Sequence, residues 1–256
     1  MKQRTLLPLI MTAAVYPAIA ASVDDMVLLP AGGYTPLYQE KGIGAALSSG
    51  PVAVEAFRLD RMPVTNRKYL DFVRTHDEWK KSRVRGLFSD PHYLQHWKGD
   101  LDIGDADVLD LPVVNVSWFA ASAYCEALEK RLPTTDEWEY ALADDGRDGD
   151  NIQRQVLEWY AIPNGQLPPT TSLPANGFGV SGLAGVIWEW TSDFNGFMAS
   201  SDPRESGQKG LFCGSGSLNA SNPRDYAAFM RYSYRGSLQG AFTGKNLGFR
   251  CAKDVK

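Results

Sequence analysis

The spacing of apolar residues along the chain changes several times, and each change predicts a different element. Met26 to Pro30 is a short apolar run closed by Ala31-Gly32-Gly33, the pattern of a strand followed by a turn. Val52 to Leu59 alternates, with Val52, Val54 and Ala56 set against Ala53, Glu55 and Phe57, and predicts a second strand. Pro63-Val64-Thr65-Asn66 opens a helix on which Tyr69, Phe72 and Val73 share one face, with Thr65 or Asn66 available as cap. Residues 76–111 show no sustained period, and Leu111 to Val116 reads as another short strand. The clearest local signals lie between Ser117 and Ala143. Ser117 can cap a helix carrying Phe119, Ala123, Tyr124 and Ala127, which ends at Lys130-Arg131-Leu132-Pro133. Thr134-Thr135-Asp136-Glu137 then has the form of a capping box, opening a helix with Trp138 and Leu142 four apart. Beyond Asp144 the pattern predicts loops, the segment Val186 to Trp190, and strand-like runs near Leu211 and Leu247. These elements predict an α+β fold in which a few helices surround small sheets.

The first twenty residues break with this picture. Lys2 and Arg4 precede an uncharged, mostly apolar stretch from Leu6 to Ala20, which ends in the small-x-small triplet Ala18-Ile19-Ala20. These are the parts of a signal peptide, so residues 1–20 are expected to be removed and 21–256 to form a single domain, periplasmic or secreted. An uncleaved anchor is the alternative. Pro8 and Pro17 leave the apolar stretch short of the roughly 20 residues of a comfortable membrane span, and no later stretch is long and apolar enough.

Composition adds three constraints. A net charge of −4 argues against nucleic acid as a partner, because phosphate binding rewards basic patches. A hydrophobic share of 44% supplies a substantial core, while 24 Gly and 15 Pro spread along the chain point to many ordered loops. The cysteines are Cys125, Cys213 and Cys251; three is odd, so at least one thiol stays free or pairs with another molecule.

Eight segments, in order, resemble the formylglycine-generating-enzyme (sulfatase-modifying-factor) family. They are Met26-Val27-Leu28-Leu29-Pro30-Ala31-Gly32, Leu59-Asp60-Arg61-Met62-Pro63-Val64-Thr65-Asn66, Pro112-Val113-Val114-Asn115-Val116-Ser117-Trp118, and Ala123-Tyr124-Cys125. Lys130-Arg131-Leu132-Pro133-Thr134, Glu137-Trp138-Glu139-Tyr140-Ala141, Trp188-Glu189-Trp190-Thr191-Ser192-Asp193 and Asn246-Leu247-Gly248-Phe249-Arg250-Cys251-Ala252 complete the series. The resemblance covers about residues 26 to 252 and implies a compact, loop-rich fold related to the C-type lectin fold. It does not by itself carry a function. The family includes copper-dependent oxidases that convert a sulfatase cysteine to formylglycine, iron-dependent sulfoxide synthases of ergothioneine biosynthesis, a pyoverdine-maturation branch, a branch associated with copper nitrite reductase, and members without known activity.

Residue by residue, the resemblance implies both matches and departures. The family's formylglycine generators hold Cu(I) between two cysteines five residues apart, shortly before the closing Gly-Phe-Arg-Cys. The matching positions here are Asn222 and Ala227. A carboxamide and a methyl group do not replace the soft ligands that Cu(I) requires. The resemblance also implies a disulfide between Cys125 and Cys251, which leaves Cys213 as a candidate catalytic thiol or metal ligand, or a buried small hydrophobe. Family members hold structural calcium with backbone carbonyls and the Glu of the Trp-Glu-Trp segment. Glu189 would supply the carboxylate, with Gly185 and Ile187 offering carbonyls, although Val186 stands where the family usually has Asn.

Two further groups are candidates from their spacing. His92 and His96 are four apart, and a helical turn would place both on one face as metal ligands for copper or iron. Tyr93 follows His92 where the zinc-protease motif requires Glu, and the pair does not match the family's iron motif. Arg231 and Arg235, with Tyr232 and Tyr234 between them and Trp190 nearby in the family's cleft, are candidates to hold an acidic, aromatic or peptidic ligand. Internal salt bridges and core aromatics are the alternative for these residues. The expected function is that of a periplasmic maturation factor, assisting oxidative modification or metallocentre assembly of another exported protein, peptide or small molecule. A non-catalytic binding module is the second expectation, and formylglycine generation using Cys213 the third.

Overall fold

The computed structural model describes residues 25–34, 51–143, 167–183, 185–194 and 234–255. In chain order these form β1 (Met26–Leu29), β2 (Gly32–Tyr34), β3 (Val52–Val54), β4 (Phe57–Asp60), α1 (Asn66–Thr75), α2 (Trp118–Ala127), α3 (Thr135–Ala143), β5 (Trp188–Glu189), β6 (Leu247–Gly248) and β7 (Ala252–Asp254). Three one-turn 3-10 helices, Asp77–Trp79, Ala106–Val108 and Thr170–Ser172, punctuate the loops. No described helix is long and apolar enough to cross a membrane. The mixture is α+β, as the hydrophobic pattern predicts.

The predicted caps form. Thr65 Oγ1 accepts from the amide of Lys68 at the start of α1, and Ser117 Oγ accepts from Ala120 at the start of α2. Thr134 and Glu137 make the reciprocal capping box of α3: the Glu137 amide donates to Thr134 Oγ1 (3.1 Å), and the Thr134 amide to Glu137 Oε2 (2.8 Å). Each cap satisfies amides that the first helical turn leaves without an internal partner.

Two predicted strands differ from the structure. The run Val52 to Leu59 is not one strand, because the chain changes sheets within it. β3 pairs antiparallel with β2, whereas β4 lies between β1 and β7 in an antiparallel three-stranded sheet. Leu111 to Val116 forms no strand beyond an isolated antiparallel bridge between Pro112 and Thr65. Its backbone bonds go to scattered partners: Val113 donates to Val64, Asn115 donates to Gly244, and Leu94 donates to Asn115. Asn115 also has φ 54°, which interrupts any ladder.

Two apolar layers flank the three-stranded sheet and the Gly248–Cys251 run. One joins Leu29, Phe57 and Leu59 to Trp138, Ala141 and Leu142 of α3. The other joins Tyr69 and Val73 of α1 to Ala121 and Tyr124 of α2 and to Trp97 and Phe249. Gly248 sits where the backbones meet most closely; a Cβ there would collide with the Val113 carbonyl oxygen. The Cys125–Cys251 disulfide is present, with a Cα–Cα distance of 5.7 Å and both cysteines fully buried. It fastens α2 to the strand-like C-terminal run.

The bridge closes a sequence separation of 126 residues. In the chain-entropy view, the Cys125→Ser/Cys251→Ser double variant loses about 4–5 kcal/mol of stability. Thermal melting of wild type and variant, each with and without reductant, measures this. A reductant-sensitive wild type and a destabilised, reductant-insensitive variant are expected.

Candidate functional site

The Trp188-Glu189-Trp190 triplet lies beside β6, with β5 and β6 paired in parallel from Trp188↔Leu247 to Glu189↔Gly248. This register brings Glu189 to Arg250, and both side chains have no solvent exposure. Arg250 Nε donates to Glu189 Oε2 (2.8 Å) and Nη2 donates to Oε1 (2.8 Å), a bidentate pair. Trp138 Nε1 also donates to Glu189 Oε2 (2.9 Å). The remaining Arg250 N–H groups reach the carbonyls of Asp60, Arg61 and Ser181.

A second buried pair also meets Trp138. Arg235 Nη1 donates to Glu139 Oε1 (2.9 Å), and the Arg235 guanidinium carbon stands 4.5 Å from the Trp138 ring centroid. Arg235 is on a helical turn at 234–237. It thereby fixes its neighbour Tyr234, whose ring packs on Trp188 with centroids 4.4 Å apart and planes inclined by 36°. Both rings are half-buried. Burial pushes the Tyr234 phenol up to about 12, so at neutral pH it is a hydrogen-bond donor and not a base. Trp118 is also half-buried. Its indole N–H donates to the Thr191 carbonyl (2.9 Å), and its backbone N–H to Gly240 (3.0 Å). Trp188 and Tyr234 form an aromatic wall held from behind by two buried ion pairs that share Trp138.

This geometry corrects several sequence expectations. Trp190 has no exposed surface; its indole N–H donates to the Val116 carbonyl and its ring packs on Phe194. Arg235 is 4% exposed and committed to Glu139, so neither Trp190 nor Arg235 faces a ligand from solvent. Of the triplet's two indoles, Trp188 is half-buried and Trp190 fully buried. The Trp-Glu-Trp triplet was the only signal for either, and that signal does not say which indole is the more buried.

Glu189 is bonded internally: Oε2 accepts from Arg250 and Trp138 and Oε1 from Arg250, so the carboxylate expected to face calcium faces a buried guanidinium. Gly185 is exposed with φ 85° and Ile187 is buried, so the carbonyl donors expected beside Glu189 lack their carboxylate. His92 and His96 lie in consecutive turns and not on one helical face, with Leu94 between them at φ 45°. Asn66 spends its amide N–H groups on the carbonyls of Val108, Leu111 and Pro112, so its oxygen is an acceptor. His96 Nε2, 3.1 Å from that oxygen, is therefore the protonated nitrogen and has no lone pair for a metal. His92 Nδ1 faces Gln95 Oε1 at 3.1 Å. Among the described residues, no three His, Cys, Asp or Glu converge. Cys213, Arg231 and Tyr232 lie outside the described residues, as do Asn222 and Ala227.

Comparison with known proteins agrees with this frame. The family model of the sulfatase-modifying factor enzyme 1-like domain matches residues 12–255, and the chain belongs to that family. It is 31% identical to the formylglycine-generating enzyme of Mus musculus, over 91% of this chain and 76% of that protein. It is 28% identical to the inactive C-alpha-formylglycine-generating enzyme 2 of Mus musculus, over 80% of this chain and 77% of that protein. Among solved structures, the crystal structure of CarF covers 91% of this chain and 98% of its own, at 17% identity and a TM-score of 0.50; this likeness concerns the fold alone.

Removing one member of the Arg250–Glu189 pair leaves the other charged and buried. Glu189→Gln and Arg250→Met are each expected to cost about 3–5 kcal/mol. The double variant should lose clearly less than the sum, and denaturant melts of the four proteins of this cycle measure the coupling.

Proposed function

We propose that this protein is an exported maturation factor of the sulfatase-modifying-factor family. It acts in the periplasm on another exported protein, peptide or small molecule, through oxidative modification or assembly of a metal centre, by chemistry other than a two-cysteine copper site. One observation carries this reading. Segments that carry the family resemblance meet at Arg250, Glu189 and Trp138, yet by the same resemblance Asn222 and Ala227 stand where the family's formylglycine generators place their copper thiolates. That donor set does not fit Cu(I), which binds soft thiolate or thioether ligands. Export is supported by the sequence of residues 1–20 and by a buried disulfide, which persists in an oxidising compartment. The wall of Trp188 and Tyr234 supports recognition of a peptide or aromatic group, with the phenol as donor.

The second reading is a non-catalytic binding module. It is favoured by a wall that offers aromatic surface and a neutral phenol, and by likeness to a relative named as inactive. Formylglycine generation through Cys213 is the third.

Three measurements separate these readings. Signal cleavage predicts a mature protein that begins at Ala21 in the periplasmic fraction, checked by N-terminal sequencing. A peptide containing Cys-x-Pro-x-Arg, incubated with the protein, copper and oxygen, is expected to yield no aldehyde by mass spectrometry; conversion would overturn the argument from Asn222 and Ala227. Elemental analysis with a free-thiol count then divides enzyme from binding module. Copper or iron near one per chain, lost in Cys213→Ser, supports a redox enzyme, whereas partner binding unchanged in Cys213→Ser supports the module.

A further inference from the structure

The three-stranded sheet runs β1, β4, β7, so β1 and β7 are its edges. The direction of each backbone group follows from two hydrogen bonds. The Arg61 amide donates to the Asp25 carbonyl (2.8 Å), and the Asp60 amide donates to the Cys251 carbonyl (2.8 Å). In an antiparallel ladder every second residue turns its N–H and C=O toward a given neighbour. By the register of the two pairings, Phe57, Leu59 and Arg61 turn toward β1, whereas Arg58 and Asp60 turn toward β7. On β1, Val27 and Leu29 therefore turn inward to β4, and Met26 and Leu28 turn their N–H and C=O groups outward.

The two edges are treated differently. Ala252 on β7 exchanges both of its outward bonds with Arg131 (2.9 and 2.6 Å), and the Arg131 side chain then folds onto Asp254. On the β1 edge, nothing among the described residues bonds to the outward groups of Met26 and Leu28, and the Leu28 side chain is 50% exposed. Folded proteins commonly guard such an edge with a charge or a proline inside the strand. β1 has neither: its four residues are Met, Val, Leu and Leu, and Asp25 before them is paired with Lys68 at 2.6 Å.

The length of the open edge sets the occupant. Pro30, the next outward residue, has no N–H, and its carbonyl accepts from the Tyr140 hydroxyl (3.2 Å). Within β1, only the groups of Met26 and Leu28 remain. A flexible peptide loses backbone freedom at every residue it orders, and so few hydrogen bonds do not offset that loss. A strand already ordered in its own sheet avoids it. β1 of a second copy is such a strand, and the open groups are complementary to themselves. With two β1 strands antiparallel about Val27, Met26 of each copy exchanges both bonds with Leu28 of the other, and no outward group of either residue is left over.

We propose that this protein forms a two-fold dimer through β1, joining the sheets of two copies in the order β7-β4-β1-β1-β4-β7. The exposed Leu28 side chain then lies beside Met26 of the other copy on the same face. The contact uses one short strand from each copy, so the dimer is reversible. It does not depend on the proposed function.

Sedimentation velocity over a concentration series tests it, with a monomer–dimer equilibrium expected. Leu28→Lys places a charge at the pairing, and Leu28→Pro removes an outward N–H that the β1–β4 ladder does not use. Each should raise the dissociation constant at least about tenfold. Leu28 is half exposed, so the circular dichroism melt of Leu28→Lys should stay at the wild-type value. Cross-linking checks the register. At the two-fold axis Val27 faces its own copy as a non-hydrogen-bonded pair, with Cα atoms about 4.5 Å apart and within disulfide reach. In a Cys213→Ser background, Val27→Cys should give a covalent dimer on mild oxidation, and Lys253→Cys on the opposite edge should not. Protein that stays monomeric throughout the series overturns the proposal, as does a dimer that both Leu28 variants leave unchanged or that cross-links through residue 253 and not 27. Binding of a peptide with the β1 sequence by protein that remains monomeric assigns the edge to a peptide and overturns the dimer too.

Discussion

Arg250 is buried without any exposed surface, and its N–H groups meet acceptors from three separate parts of the chain. A guanidinium removed from water to that extent is tolerable only when fully bonded and neutralised. Its partners are the carbonyls that follow β4, the Ser181 turn and the carboxylate of Glu189, so a single cation sets the spacing between the three-stranded sheet, the 179–183 loop and the Trp188–Trp190 segment. Trp138 completes the arrangement by donating to the same carboxylate from α3. The aromatic wall depends on this packing. Trp188 is placed by the strand that carries Glu189, and Tyr234 by Arg235, which lies over the Trp138 ring and pairs with Glu139.

The same arrangement governs what the site offers chemically. A carboxylate that the family resemblance assigns to a cation is already neutralised by an arginine, and an arginine that spacing assigns to a ligand is already neutralised by Glu139. Both charged pairs serve the frame. What remains beside the two pairs is the half-buried aromatic surface of Trp188 and Tyr234, with a phenol whose pKa burial raises further above neutrality.

Local features of the chain were legible before the fold was seen, because each rests on contacts within a few residues. Thr65, Ser117 and the Thr134–Glu137 box cap their helices as the spacing predicts. The Cys125–Cys251 bridge follows from the ordered family segments and not from any local rule. The alternation from Val52 to Leu59 was also real, but periodicity does not register that a chain leaves one sheet for another between Val54 and Phe57.

By itself, the sequence determined the α+β class, the family, the helix starts and the absence of thiols at the copper positions. Those depend on residue identity and short spacing alone. Only the tertiary structure decided that Trp190 and not Trp188 is fully buried, that Glu189 and Arg235 are internal counter-ions, and that the proton on His96 Nε2 is donated to Asn66. Each of those outcomes depends on a partner 30 to 96 residues away. A polar side chain's role is set by whichever opposite charge or hydrogen-bonding group the fold brings to it, and that pairing is not written in its neighbours along the chain.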